Sequence, residues 1–158
     1  MKKLISYCIN TQYRRQSLIK WYLTLKEKNS FTFKVISLLL KNYIISNCNI
    51  IISMKAKIGK NIYFPHPQNI IIGDGSIVGD DCTIYHDVTL GQSRGKFPKL
   101  GDDVIVYAGA KIMGDVKIGN NAIIGANAVV VKDVLDNQIV GGVPAKVIGV
   151  NSDGKEFY

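Results

Sequence analysis

The sequence is poor in cysteine, histidine and long apolar runs. Its three cysteines, Cys8, Cys48 and Cys82, follow no metal or disulfide spacing, which favours a reducing cytoplasm and argues against a disulfide framework or a zinc motif. Its two histidines, His66 and His86, are too few for one chain to supply a three-histidine zinc site. No apolar run reaches the ~18 residues of a membrane-spanning helix.

Acidic residues are almost missing from the first third of the chain. Residues 1–57 contain eleven Lys or Arg and one acid, Glu27, whereas residues 58–158 contain nine Lys or Arg and eleven acids. This asymmetry predicts two parts, the first of which faces an anionic partner. No nucleic-acid-binding motif is present, so we expect no nucleic-acid partner. A membrane surface and an anionic glycan remain as candidates.

A six-residue repeat dominates the chain after this basic part. Ile, Val, Leu or Phe recurs at positions 52, 58, 64, 72, 78, 84, 90, 100, 106, 112, 118, 124 and 130. The step is six except from 64 to 72 and from 90 to 100. The residue four places later is small or aliphatic in eleven of the thirteen hexads, and the exceptions, Gln68 and Arg94, belong to the two longer steps. We expect loops there.

A period of six does not suit an α-helix, but it suits a short strand followed by a tight turn. Three such units form a triangular coil, and coils stack ~4.8 Å apart through backbone hydrogen bonds. The repeat therefore predicts an all-β solenoid, a parallel β-helix over residues 50–150. Glycines after the apolar position, and nearby Asn or Asp, are expected to make the turns. A sandwich of short strands is the alternative, which thirteen in-phase positions disfavour.

Residues 11–47 are predicted to be helical. In the segment FTFKVISLLLKNYII, apolar residues recur at helical spacing, Lys34 and Lys41 lie on another face, and Ser30 can cap the start. This helix either packs on the first coil or another subunit, or contacts lipid head groups. The predicted organisation is a basic N-terminal helical region at 1–49, the β-helix at 50–150 and a tail at 151–158.

Stacking of the coils brings both histidines into one column. Hexads three apart share a face, so those beginning at 64, 84, 106 and 124 stack on each other. Their third residues are His66, His86, Ala108 and Ala126. A titratable base at one end of a track of small residues suits a long, thin ligand with a reactive end.

The repeat, together with FPHPQNIIIG, IYHDVTLG, VYAGAKIMG and the closing DNQIVGGVPAKVIG, resembles the hexapeptide-repeat acetyltransferases. The serine acetyltransferase branch and its relatives that act on cell-surface sugars are the most similar. The resemblance covers about residues 52–149. It implies a left-handed β-helix, an acetyl-CoA-dependent O-acetyltransferase without a metal, and a homotrimer with active sites between subunits.

The resemblance also implies site residues. His66 takes the position of the catalytic histidine, a general base for direct acetyl transfer, and His86 assists it, binds the acceptor, or only decorates the outer face. The residues expected to bind the cofactor are Gly91, Ala108, Gly109, Ala126, Lys132, Pro144 and Lys146. The residues expected near the acceptor are Tyr63, Arg94, Lys96, Phe97 and Tyr107, of which the aromatic ones either stack on a sugar or serve only as packing.

Three departures from the serine branch concern the acceptor. Pro65 stands where that branch has an Asp, Phe97 where it has a second histidine, and Ile51 where it has an upstream Asp. These changes favour a sugar hydroxyl of a bacterial surface polysaccharide (capsule or O-antigen) or its lipid- or nucleotide-linked precursor, made in the cytoplasm or at the inner face of its membrane. Serine or another small metabolite is the alternative acceptor. A hexapeptide carbonic anhydrase and a non-catalytic scaffold are less favoured.

Overall fold

The computed structural model describes residues 2–152, with side chains for residues 14–152. Two helices, α1 (Lys2–Lys26) and α2 (Phe31–Cys48), precede fourteen short strands. The strands are β1 (Ile51–Ile52), β2 (Lys57–Ile58), β3 (Ile71–Ile72), β4 (Ile77–Val78), β5 (Thr83–Ile84), β6 (Thr89–Gly91), β7 (Lys99–Leu100), β8 (Ile105–Val106), β9 (Lys111–Met113), β10 (Lys117–Ile118), β11 (Ile123–Ile124), β12 (Val129–Val130), β13 (Gln138–Gly141) and β14 (Lys146–Val150).

The strands form the three faces of a prism. Face 1 contains β1, β3, β6, β9 and β12; face 2 contains β2, β4, β7 and β10; face 3 contains β5, β8, β11, β13 and β14. Every pairing between stacked coils is parallel, and the apolar repeat positions align, as in the series Ile52, Ile72, Leu90, Ile112 and Val130 on face 1. These side chains are buried in the prism. The predicted β-solenoid with a short N-terminal helical region is therefore confirmed.

The turns differ from the expectation in which residue bends the chain. The left-handed backbone conformation belongs to the fourth residue of the hexad, as at Asn61, Asp81 and Asn121. Glycines directly after the apolar position do not adopt it. They serve close packing instead, because a Cβ on Gly79 would overlap Asp102 Oδ1 and the Gly101 carbonyl of the next coil. Glycine is therefore required at these stacked corners because a Cβ would not fit between the coils, and not because the backbone has a positive φ there.

The helices cover the first coil. Tyr22 of α1 is buried, and its hydroxyl donates to the Ile52 carbonyl at 2.9 Å. Burial raises the pKa of this phenol to about 12. Gln16 exchanges two hydrogen bonds with the coil, donating from Nε2 to the Ile62 carbonyl and accepting at Oε1 from the Phe64 N–H. No coil lies below the first one to pair with its backbone, and α1 supplies hydrogen-bond partners to some of these groups instead.

The helical prediction needs three corrections. Helix α1 begins at Lys2, earlier than the predicted residue 11. Helix α2 buries Ser37, Ile44 and Cys48, so the predicted apolar stripe is mostly turned away from the core. Ser30 is the N-cap residue of α2, but its hydroxyl makes no capping bond to the helix backbone.

At the other end, β13 and β14 form the one antiparallel pair among the described strands. Asn151 follows this hairpin and donates from Nδ2 to the Asn121 carbonyl and side chain. The predicted tail lies outside the described residues from 153 onward. No helix among residues 2–152 is long and apolar enough to cross a membrane.

Candidate active site

The histidines lie at the edge between face 3 and face 1, called here the histidine corner (His66, His86, Ala108 and Ala126). The backbone there follows the predicted stacking for His86, Ala108 and Ala126, but not for His66. The N–H of Asp87 donates to the Gln68 carbonyl, that of Gly109 to His86, and that of Asn127 to Ala108, all within 3.1 Å. The column is therefore Gln68, His86, Ala108 and Ala126: Gln68 takes the place predicted for His66, because the insertion shifts the register by two residues.

His66 projects from a two-residue insertion in this column. Tyr63 pairs with Thr83 and Ile71 pairs with Thr89, so the chain is in register on both sides of the insertion. Proline cannot donate to the ladder, and Pro65 and Pro67 flank the histidine where the pairing is interrupted. His66 is consequently exposed, while Pro67 is buried.

The two imidazoles face each other edge to face. Their ring centroids are 5.7 Å apart, with an interplanar angle of 72°. His86 Nε2 lies 3.9 Å from Asp87 Oδ2. His86 Nδ1 is buried and has no hydrogen-bond partner among the described residues. A buried imidazole nitrogen needs a partner, so this atom is suited to meet a ligand or a water.

The column is open to solvent above the histidines and ends at the GVPAK turn. Ala108 is partly exposed and Ala126 is exposed. The turn continues face 1 above β12, because Val129 donates to the Gly142 carbonyl and accepts from the Ala145 N–H. Pro144 therefore lies above β12 on face 1, beside the upper end of the column, and Lys146, the first residue of β14, is exposed two residues later.

The second longer step of the repeat forms a hairpin at the edge between face 1 and face 2, called here the loop corner (residues 91–98, with Gly114 and Lys132). Ser93 and Lys96 exchange both backbone hydrogen bonds at 3.0 Å. Arg94 and Gly95 at the tip have φ of 50° and 78°, the signs of a type I′ turn. The predicted loop is thus an ordered hairpin.

Two contacts hold this hairpin to the prism. The Phe97 ring lies on the Gly73–Gly75 turn, where a Cβ on Gly73 or Gly75 would approach the ring to 2.5 or 2.6 Å. Lys96 Nζ donates to Asp115 Oδ2 at 2.6 Å. This bond lowers the pKa of Asp115 and raises that of Lys96. A cleft of about 450 Å³ lies beside the hairpin, lined by Ser93, Arg94, Lys96, Met113, Gly114, Asp115, Val116 and Val131.

The predicted site residues therefore fall into two groups within one chain. His66, His86, Ala108, Gly109, Ala126 and Pro144 are at the histidine corner. Gly91, Arg94, Lys96, Phe97 and Lys132 are on the side of the loop corner. Face 1 lies between the two groups, and neither histidine lines the cleft beside the hairpin.

The aromatic residues near the histidines differ in how much surface they offer. Tyr63 is 54% exposed, whereas Tyr107 is only 7% exposed and stacks on Tyr85 with centroids 5.0 Å apart. Tyr85 was not singled out from the sequence, yet its ring lies 6.3 Å from that of His66. The signal for it was available, because Tyr85 precedes His86 in the hexad as Tyr107 precedes Ala108.

The described cysteines are poor nucleophiles. Burial raises the pKa of Cys82 to about 11 and also raises that of Cys48, so both thiols stay protonated near neutral pH. Residues 2–152 contain no group of three or more His, Cys, Asp or Glu arranged to hold a metal ion. Compared with these thiols, the His66–His86 pair is better suited to act as a general base.

Residues 97–132 match the family model described as bacterial transferase hexapeptide (six repeats). This match and the relatives below support the hexapeptide acetyltransferase class for the β-helix.

The relatives within this class are serine acetyltransferases. The chain is 52% identical to that of Mycobacterium tuberculosis over 98 residues, which are 60% of this chain and 43% of the relative. It is 44% identical to that of Synechococcus elongatus over 97 residues, 59% and 40% of the two chains. The chain spans less than half the length of these curated relatives.

Solved structures are similar over a larger part of the chain. A serine acetyltransferase in complex with CoA superposes with a TM-score of 0.73 at 35% identity, covering 83% of this chain and 55% of that one. The serine acetyltransferase of Vibrio cholerae gives 0.77 at 32% identity, covering 87% and 55%. The likeness therefore includes part of the N-terminal helical region.

Proposed function

We propose that the chain is an acetyl-CoA-dependent O-acetyltransferase in which His66 is the general base. The observation that carries this proposal is the His66–His86 pair at the foot of an open column of small residues. His66 takes the proton of the acceptor hydroxyl as its oxygen attacks the thioester carbonyl. The carbon–sulfur bond then breaks, CoA leaves as the thiol after gaining a proton, and no covalent enzyme intermediate forms.

The proposed donor path follows the histidine corner. The pantetheine arm would lie along Ala108 and Ala126, whose small side chains leave room for it. Pro144 and Lys146 of the GVPAK segment would meet the nucleotide end, where a lysine can pair with phosphate. A relative of known structure is described as a complex with CoA, which supports this donor.

Serine is the acceptor that the comparisons favour. The sequence-based preference for a surface-polysaccharide sugar has no support among the relatives, which are serine acetyltransferases. We therefore propose serine, or another small hydroxyl metabolite, as the first candidate acceptor.

A sugar hydroxyl is the second candidate because of specific local differences. Pro65 beside His66 offers no side-chain polar atom, and the Phe97 ring is committed to the Gly73–Gly75 turn. A charged amino acid bound there would have fewer polar partners, and unpaired charge is costly to bury. Arg94 at the tip of the hairpin favours an anionic glycan or a diphosphate-linked carrier.

One assay tests both the reaction and the acceptor. Purified protein and acetyl-CoA are mixed with serine or with a panel of free, nucleotide-linked and lipid-linked sugars. CoA release is followed with a thiol reagent, and products are identified by mass spectrometry. Acetylated serine with no glycan product supports the first candidate, and the reverse supports the second. Absence of acetyl-CoA binding would contradict the proposed reaction.

We also propose a homotrimer with active sites between subunits, located in the cytoplasm. The histidine corner and the loop corner lie on opposite sides of face 1, so one chain does not bring all predicted site residues together. A three-fold assembly can join the histidine corner of one subunit to the loop corner of the next. Mixed trimers of His66→Ala and Phe97→Ala would then contain one site with both corners intact, and that site should show the acceptor KM of the parent.

A further inference from the structure

Helix α2 exposes a broad apolar surface. Its outer face, defined here as Phe31, Val35, Leu38, Leu39 and Tyr43, points away from the packed residues Ser37, Ile44 and Cys48. Phe31 is 80% exposed and Leu39 is 64% exposed. The helix therefore packs through one side, which includes Ile44, and presents most of its large apolar side chains to the surroundings. Contiguous apolar patches of this kind mark interaction surfaces.

The segment of the chain that contains this face is rich in lysine and has no acidic residue. From Lys28 to Gly73 the chain contains six lysines and no acid. Lys34 is exposed and lies one turn before Leu38, at the edge of the outer face. A lysine in this position can bury its carbon stem while its ammonium group reaches polar head groups.

The charge distribution distinguishes between two occupants. A second copy of α2 would bring two identical lysine-rich segments together, and their repulsion would oppose association. An anionic lipid surface offers opposite charge to the lysines and an apolar layer to the outer face. The helix has 18 residues, about 27 Å at 1.5 Å per residue, and can lie flat along such a surface.

We propose that the outer face of α2 binds the surface of an anionic phospholipid membrane, with Lys34 at the head groups. The helix lies in the interface and does not cross the bilayer. This contact is independent of acetyl transfer, because the outer face belongs to α2 and not to either corner of the prism.

Vesicle sedimentation of the full chain tests this contact. We expect the protein to sediment with vesicles of phosphatidylcholine and phosphatidylglycerol, less so at high salt, and hardly with phosphatidylcholine alone. The double variant Leu38→Ser/Leu39→Ser should bind the anionic vesicles at least about tenfold more weakly, because two apolar side chains no longer enter the interface. Lys34→Gln should weaken binding and reduce its salt dependence.

Leu135→Ser is the matched control, since Leu135 is 67% exposed in the turn after β12, at the other end of the prism. It should bind vesicles like the parent. The proposal is overturned if the parent does not sediment with anionic vesicles, or if the double variant binds as well as the parent. If the parent does not bind vesicles and the double variant forms a smaller assembly in solution than the parent, a second copy of the chain covers the outer face instead of a membrane. Acetyl transfer to a water-soluble acceptor should be equal in the parent and the double variant, so a failure here leaves the proposed reaction untouched.

Discussion

The two edges of face 1 are held by different kinds of contact. At the histidine corner, backbone ladders place His86, Ala108 and Ala126 one above another with the spacing of the repeat, and the His66 ring lies beside that of His86. At the loop corner, the hairpin leaves the repeat and is held by Phe97 on the Gly73–Gly75 turn and by the Lys96–Asp115 pair. The first edge is rigid because of register, and the second depends on a few side chains. We expect changes at the first to affect chemistry and changes at the second to affect acceptor binding.

The largest expected effect is on catalysis at the histidine corner. His66→Ala should lower kcat about 100-fold or more, because the acceptor hydroxyl loses its base. Steady-state CoA release measures this, and an unchanged melting temperature shows that the fold is intact. If turnover stays within about tenfold of the parent, His66 is not the base.

The next effect is on stability and compares one glycine from each corner. Gly109 and Gly95 have nearly the same positive φ, 75° and 78°, but a Cβ on Gly109 would overlap Asn127 Oδ1, whereas one on Gly95 would meet nothing closer than 4.0 Å. Both alanine variants should lose about 1–2 kcal/mol for the backbone conformation. Gly109→Ala should lose about 1–3 kcal/mol more for the overlap. Equal losses in urea unfolding would show that the histidine corner is not tightly stacked.

A smaller effect is expected where the hairpin is anchored. Phe97→Ala removes the ring from the glycine turn, so the hairpin samples more conformations and the KM for the acceptor should rise about tenfold, with less change in kcat. Gly75→Ala approaches the same contact from the other side and should act in the same direction. A fall in kcat without any change in KM would place Phe97 in the chemical step and contradict the comparison.

The smallest effect concerns the exposed ion pair. Lys96 lowers the pKa of Asp115. The pair therefore stabilises the folded chain fully at a pH above the ordinary carboxylate pKa, and this stabilisation is lost as the pH falls through the lowered pKa. At an exposed site this contribution is small and screened by salt. Lys96→Gln should therefore change the acceptor KM about twofold or less near neutral pH. A larger change that persists at high salt would indicate that Lys96 contacts the acceptor itself.

Much of the β-helix could be predicted because each position of the hexad has one physical role. The apolar residues that align on face 1 were identified by their spacing, and so was the stacking of Ala108 and Ala126 above His86. Gln68 takes the place predicted for His66, because the insertion breaks the period there. The turn chemistry was only partly predicted. Asn and Asp carry the positive φ, while the glycines that follow the apolar residue are needed for close approach between coils, which depends on atoms far away in sequence.

The helices and the hairpin were harder to predict for the same reason. The apolar spacing of α2 indicates a helix, but the face that packs is chosen by the shape of α1 and the first coil, which accept Ser37 and Cys48 in place of larger residues. Likewise, nothing local in QSRGKFPK indicates that Phe97 rests on a turn twenty-two residues earlier. Both outcomes depend on contacts between segments distant in the chain.

By itself, the sequence determined the coil, its register and the column from His86 through Ala108 to Ala126, because a strict period leaves one way to stack the hexads. The insertion around His66 interrupts that period. The tertiary structure decided which tyrosines remain open beside His66 and how the hairpin is anchored. It also decided that the predicted site residues lie on two separate edges and that α2 turns its large apolar side chains outward. These features depend on how side chains from different segments fill space together, which periodicity does not specify.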